Sequence, residues 1–135
     1  MTTLIEKTRM FFEEYIKRYF NKYKENGYTI NEQVSRIISE FKYQFAVNYV
    51  YLYINRDIIE MISDYFNNDD MINMYNTAYN NIKESMLESI FQPYSLNHLQ
   101  YIYFSVFLKT EENIKYFEEF IEKMLFEKGN LVVLK

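Results

Sequence analysis

Residues 41–54, FKYQFAVNYVYLYI, decide the fold of this chain. The stretch carries one charge, Lys42, and is otherwise almost wholly apolar or aromatic. From Val34 onward, the apolar residues that lead into it recur with the 3.6-residue period of an α-helix, and the period continues without a break. Valine, tyrosine and isoleucine also favour strands, but no turn residues flank the stretch. We therefore interpret it as the second half of a buried helix.

This helix has apolar residues on two opposite sides. The main apolar face consists of Val34, Ile37, Ile38, Phe41, Phe45, Tyr49 and Leu52. Beyond Phe41 the opposite side carries Tyr43, Val47, Val50 and Ile54. A helix that is apolar all round is either central in its domain or covered by a partner.

Periodicity and capping signals place the other helices around this one. We predict helices over residues 4–26, 29–54, 55–66, 71–91, 95–108 and 110–129, with Asn31 as an alternative cap of the second helix and Asp57 as an alternative start of the third. Thr3 with Glu6, and Thr29 with Glu32, have the spacing of a capping box. The predicted caps of later helices are Asp70, Ser95 and Thr110. The residues expected to break helices are Gly27, Pro93 and Gly129.

The fifth predicted helix is also apolar on more than one side. Leu99, Ile102, Tyr103 and Val106 form one face, and Tyr101, Phe104 and Leu108 another. We expect one all-α domain over residues 1–135, a bundle of five or six helices in which the second and fifth are central. The residues predicted to contact a subunit or partner are Tyr101, Phe104, Leu108, Tyr43, Val47 and Val50. On that prediction, Phe104→Asp splits an oligomer and leaves helicity intact.

Composition supports this class and argues against several others. A length of 135 residues is that of one domain, and two glycines and one proline are too few for the turns of an all-β fold. There is no cysteine, so disulfides and thiolate metal sites are excluded. No signal peptide is recognised, and the longest charge-free runs are shorter than the ~20 residues of a membrane helix. We expect a cytoplasmic protein that does not enter membranes.

The sequence offers little catalytic or cofactor chemistry. His98 is the single histidine and lacks neighbours at metal-ligand spacing, so we expect no metal and no cofactor. Adjacent acids such as Glu111 and Glu112 point about 100° apart on a helix and do not form a catalytic pair. Residues 17–24 interleave lysines with aromatic residues, but a net charge of −4 disfavours nucleic acid as a partner. We expect no enzymatic activity.

Fifteen tyrosines are more than one small core needs, and tyrosine is enriched in protein interfaces. We therefore expect a non-catalytic protein that binds a protein partner and self-associates. The alternative explanation is that AT-rich coding raises the number of tyrosines throughout the chain. The abundance of residues with AT-rich codons is typical of many phages and viruses, which suggests an accessory protein that inhibits a host defence or transcription complex. The alternatives are a structural protein of a virion or filament and a helical sensor for a small molecule. The apolar tail, residues 131–135, is expected to pack against the core or to extend a partner's sheet.

Overall fold

The computed structural model describes residues 2–20, 29–50, 56–84 and 96–127, and every regular element among them is an α-helix. The six helices are α1 (Leu4–Phe20), α2 (Ile30–Val50), α3 (Arg56–Tyr65), α4 (Asn68–Glu84), α5 (Leu96–Lys109) and α6 (Glu111–Glu127). The predicted all-α bundle is confirmed. The predicted helix ends at residues 26, 54, 91 and 129, the cap Ser95, the breakers Gly27, Pro93 and Gly129, and the tail lie outside the described residues.

The two predicted capping boxes begin α1 and α2. At α1, the backbone N–H of Glu6 donates to Thr3 Oγ1 at 3.1 Å. At α2 the exchange is reciprocal, because the N–H of Glu32 donates to Thr29 Oγ1 at 3.3 Å and the N–H of Thr29 donates to Glu32 Oε2 at 2.9 Å. Each box pairs backbone N–H groups that the first turn of a helix leaves without a carbonyl partner.

The start of α4 differs from the prediction. The helix begins at Asn68 rather than at residue 71, and Asn67, not Asp70, is its cap. The N–H of Asp70 donates to Asn67 Oδ1 at 2.9 Å, and the N–H of Asn67 donates to Asp70 Oδ2 at 2.9 Å. Asp70 is thus the third helical residue of a capping box built from Asn and Asp, which the Ser/Thr–Glu pattern does not describe.

Aromatic rings from three helices form the centre of the core. Phe11 and Phe12 of α1, Phe45 of α2 and Phe104 of α5 are each at most 2% exposed. The ring centroids of Phe12 and Phe45 lie 5.0 Å apart, and those of Phe11 and Phe104 lie 5.3 Å apart. α5 contacts α2, α4 and α6, and α1 contacts α2, α3 and α6. α2 contacts α1, α5 and α6. Both helices predicted to be central, α2 and α5, therefore contact three other helices, and α1 and α6 do so as well.

Two residues predicted to contact a partner are core residues instead. Phe104 has no exposed surface, and Leu108 is 5% exposed. Both are buried by their own chain, so this part of the predicted contact surface is wrong. A carboxylate at Phe104 would be buried among aromatic rings without a partner, which costs far more than a surface change. We therefore expect Phe104→Asp to unfold the chain, and circular dichroism checks this as a loss of helicity.

Candidate protein-binding surfaces

The predicted contact residues of α2 are exposed. Tyr43 is 72% exposed and Val47 is 38% exposed, and they lie one turn apart on the side opposite the core face that includes Phe41 and Phe45. Val50 ends α2, and its side chain lies outside the described residues. The second half of α2 is thus not buried on all sides.

Tyr101, the remaining predicted contact residue, is half-buried on α5. Its ring centroid lies 5.3 Å from that of the buried Tyr49. The single O–H of Tyr49 lies within hydrogen-bonding distance of two acceptors, the backbone carbonyl of Asn97 at 2.7 Å and Gln100 Oε1 at 2.8 Å. Burial raises the pKa of this hydroxyl. Tyr101 therefore packs along the contact between α2 and α5, apart from the exposed α2 pair.

The outer face of α4 was not among the surfaces predicted from the sequence. Met74, Ala78 and Ile82 are buried on the inner side of α4, and the opposite side of the helix faces solvent. The exposed residues of α4 between Asp70 and Lys83 are Ile72, Asn73, Asn76, Thr77, Tyr79 and Asn80. Twelve consecutive residues, 71–82, carry no charge. The period of the buried residues describes only the inner side of α4. The sequence feature that marks the outer face is the lack of charged residues from 71 to 82.

Polar contacts hold the first turn of α4 against α1. Lys7 Nζ donates to Asp70 Oδ2 at 2.7 Å, and both side chains are mostly buried. Burial raises the pKa of Asp70, but hydrogen bonds from Lys7 and Asn67 and the charge of Lys7 outweigh it, so the pKa lies below its usual value. Asp70 therefore stays ionised at neutral pH, and the position of α4 is fixed at this end.

The first turn of α6 is held against α1 by Asn113, an uncharged residue at the helix position that Asp70 occupies in α4. Asn113 is buried and is the third residue of its helix, as Asp70 is in α4. Arg9 Nε donates to Asn113 Oδ1 at 3.1 Å, and Asn113 Nδ2 donates to the backbone carbonyl of Phe107 at 3.1 Å. The guanidinium of Arg9 also lies 4.5 Å from the ring centre of Tyr116.

A groove of about 590 Å³ runs between α1 and α6. Five of its eight lining residues are charged: Glu13, Lys17, Glu119, Lys123 and Glu127, beside Tyr116, Phe120 and Met124. The Tyr116 hydroxyl donates to Glu13 Oε1, and this hydrogen bond raises the pKa of Tyr116 to about 12. The phenol is therefore protonated at neutral pH and joins the two helices as a hydrogen-bond donor.

The described residues offer few groups for cofactor chemistry. His98 lies exposed in the first turn of α5. Across residues 2–20, 29–50, 56–84 and 96–127, no three His, Cys, Asp or Glu side chains form a group that could hold a metal ion. In the same ranges, no helix has the length and apolar character needed to cross a membrane.

Comparisons of this chain with protein-family models, with curated proteins and with solved structures found no match. The class that the fold defines is an all-helical bundle. The exposed surfaces of the bundle are therefore the features from which a function is inferred.

Proposed function

We propose that this protein binds another protein without catalysing a reaction, and that the exposed apolar side of α2 is the contact. The observation that carries the proposal is the 72% exposure of Tyr43 beside Val47 on the side of α2 away from the core. An exposed tyrosine offers a large contact area at low entropic cost and keeps a polar hydroxyl for the partner.

The neighbouring sequence also suits a binding surface. From Tyr43 to the end of α2 at Val50 the helix carries no charge, and the centres of protein interfaces are depleted of charged residues. The core does not require apolar residues here, because Phe41, Phe45 and Tyr49 already fill the inner side. A partner that presents an apolar helix or loop would cover Tyr43 and Val47.

Composition supports a more specific role. Fifteen tyrosines and twelve phenylalanines belong to a set of residues with AT-rich codons, which phage and viral genes often use. The proposal extends to an accessory protein of a phage or virus that acts in the host cytoplasm and blocks a host defence or transcription complex by covering part of it.

A matched pair of variants tests the α2 contact. The tagged chain is expressed in cells of its source, captured proteins are identified by mass spectrometry, and each is rebound as a purified protein. We expect a partner to bind the wild type and Ile59→Asp, which changes a 42%-exposed residue of α3. The same partner should lose at least tenfold in affinity for Tyr43→Asp, since about a tenfold change is 1.4 kcal/mol and interface tyrosines often contribute more than 1 kcal/mol. Equal binding to all three chains would contradict the proposal.

The sensor alternative is not favoured by the groove between α1 and α6. Its volume falls within the roughly 300–1,000 Å³ of ligand pockets, but the groove is half open to solvent, whereas ligand pockets enclose most of the surface of their ligand. The virion or filament alternative predicts assembly beyond a dimer, which the mass measurements described below would reveal.

A further inference from the structure

The outer face of α4 has the spacing of a helix-pairing seam. Asp69, Ile72, Asn76, Tyr79 and Lys83 follow one another at intervals of three and four residues. This alternation is the a/d spacing of coiled coils, and it places all five residues along one stripe of the helix. All five are exposed, including Ile72 at 54% and Tyr79 at 37%. We propose that this stripe pairs with the same stripe of a second copy of the chain, with the two α4 helices antiparallel.

The charges at the two ends of the stripe select the orientation. Asp69 and Lys83 are 14 residues apart, about 21 Å along the helix, and the residues between Asp70 and Lys83 carry no charge. In an antiparallel pair, Asp69 of each copy lies opposite Lys83 of the other, so an ion pair forms at each end. A parallel pair would place Asp69 against Asp69 and Lys83 against Lys83, and both contacts would be repulsive.

The middle of the stripe also suits a two-fold axis. Asn76 is midway between Asp69 and Lys83, so in this register it faces Asn76 of the second copy. A side-chain amide has both donors and an acceptor, and two such amides can hydrogen-bond to each other. Asparagine at a seam position is known to fix the register of paired helices.

The opposite charges at the two ends of the stripe explain why the occupant is a second copy. The chain has a net charge of −4, so two copies repel each other wherever acidic surfaces meet. The α4 stripe avoids this repulsion because each of its ends bears the opposite charge to the end that it meets. Ile72 and Tyr79 supply the apolar contact. Pairing through one helix is a small interface, so we infer a weak, concentration-dependent dimer.

Charge reversal tests the register. Sedimentation equilibrium between about 1 and 500 μM measures dimerisation of the wild type, Asp69→Lys, Lys83→Asp and the double variant. Each single variant turns both end contacts from attractive to repulsive, and we expect about tenfold weaker dimerisation. The double variant restores opposite charges at both ends, and its dimerisation should return to within about threefold of the wild type.

Glu111→Lys is the matched control. Glu111 is exposed in the first turn of α6, as Asp69 is in the first turn of α4, so this variant makes the same change of charge at the same kind of helix position. We expect it to dimerise like the wild type. Circular dichroism of every variant checks that the helices are retained.

Three results would overturn the inference: a wild type that is monomeric throughout the range, single variants that dimerise like the wild type, or a double variant as weak as the singles. None of these results bears on the α2 contact. That contact is tested by Tyr43→Asp and by the binding of a different protein, not of a second copy.

Discussion

α4 and α6 are equal in length and pack against the same helix, yet their outer faces differ. Each has 17 residues, and each contacts α5. The outer face of α4 is uncharged from residue 71 to residue 82. The exposed charged residues of α6 are Glu111, Glu112, Lys115, Glu118, Glu119, Glu122, Lys123 and Glu127.

The inner faces of the two helices do not explain this difference. Met74, Ala78 and Ile82 of α4 are buried, and so are the corresponding apolar residues of α6, such as Phe117 and Ile121. The bundle thus constrains both helices in the same way on the inside. Helix faces in contact with solvent usually carry charged residues, as α6 does, whereas the centres of protein interfaces are depleted of charged residues. The inferred α4 dimer would account for the uncharged outer face of α4, because the centres of interfaces are depleted of charge.

The largest expected effect tests whether the inner faces are equivalent. Met74→Ala on α4 and Ile121→Ala on α6 each remove a side chain with no exposed surface. We expect each to lower the free energy of unfolding by about 2–5 kcal/mol, since buried Met or Ile truncations leave a cavity. Urea denaturation, at a protein concentration where the chain is monomeric, measures the free energy of unfolding of both variants. A loss below 1 kcal/mol at Met74 would mean that α4 is not part of the core.

The next prediction uses pH to distinguish the side chains that hold α4 and α6 against α1, which are Asp70 and Asn113. Asp70→Asn should cost about 1–3 kcal/mol at pH 7, because it removes a charged hydrogen-bond acceptor of Lys7. The pKa of Asp70 lies below its ordinary value of 3.8 in the folded chain, so this stabilisation is present above that value. It is lost as the pH falls through the lower pKa of the folded state.

The matched change on α6 is Asn113→Ala, which removes an uncharged anchor. Denaturation midpoints of both variants and the wild type between pH 2.5 and 7 make the comparison. The difference in midpoint between the wild type and Asp70→Asn should become smaller in acid. The difference in midpoint for Asn113→Ala should not, because the Asn113 side chain does not ionise. A constant difference for Asp70→Asn would show that its charge does not stabilise the fold.

A third pair of variants compares the outer faces directly. Tyr79→Glu on α4 should weaken dimerisation about tenfold or more, since it places a carboxylate in the apolar part of the stripe. Phe126→Glu on α6 changes a residue that is 65% exposed and should leave dimerisation unchanged. Phe126→Glu should alter the stability of the monomer by no more than about 0.5 kcal/mol, and circular dichroism checks that Tyr79→Glu retains its helices. Sedimentation equilibrium gives the affinities, and weaker dimerisation of Phe126→Glu alone would place the contact on α6.

The smallest effect concerns the hydrogen bond between α6 and α1. Tyr116→Phe removes the hydroxyl that donates to Glu13 and keeps the ring over which Arg9 lies. We expect a loss of about 0.5–1.5 kcal/mol in the free energy of unfolding. Thermal unfolding at pH 7 measures the loss, and dimerisation should be unchanged because the groove lies away from the α4 stripe.

The sequence predicted the helices well because their inner faces follow the 3.6-residue period. Thr3 and Thr29 also marked two helix starts, whereas the start of α4 was displaced because Asn67 and Asp70 exchange hydrogen bonds in an Asn–Asp version of the box. Periodicity identifies a buried face but does not say which element covers a second apolar face. Phe104 was therefore assigned to a partner although its own chain covers it.

The exposed apolar residues were harder to predict for the same reason. Tyr43 and Val47 were found because they interrupt an expected polar face with apolar residues. Ile72 and Tyr79 were not, because the asparagines between them made the α4 face look like ordinary polar surface. With Met74 and Ala78 buried on the inner side, Ile72 and Tyr79 lie together on the exposed side of α4.

The most direct test of the α4 pairing is disulfide formation by Asn76→Cys. The chain has no cysteine, so the introduced thiol can pair only with its copy. Helices that pack about 8–10 Å apart, with Cα atoms about 2.3 Å from each axis, bring the facing Cα atoms within about 3.4–5.4 Å. This range overlaps the roughly 4.4–6.8 Å of disulfides.

The control is Glu118→Cys on the exposed face of α6. Under mild oxidation at a concentration that supports the dimer, the account predicts that Asn76→Cys becomes a covalent dimer on a non-reducing gel while Glu118→Cys stays mostly monomeric. Equal cross-linking of the two variants, or none at residue 76, would contradict it.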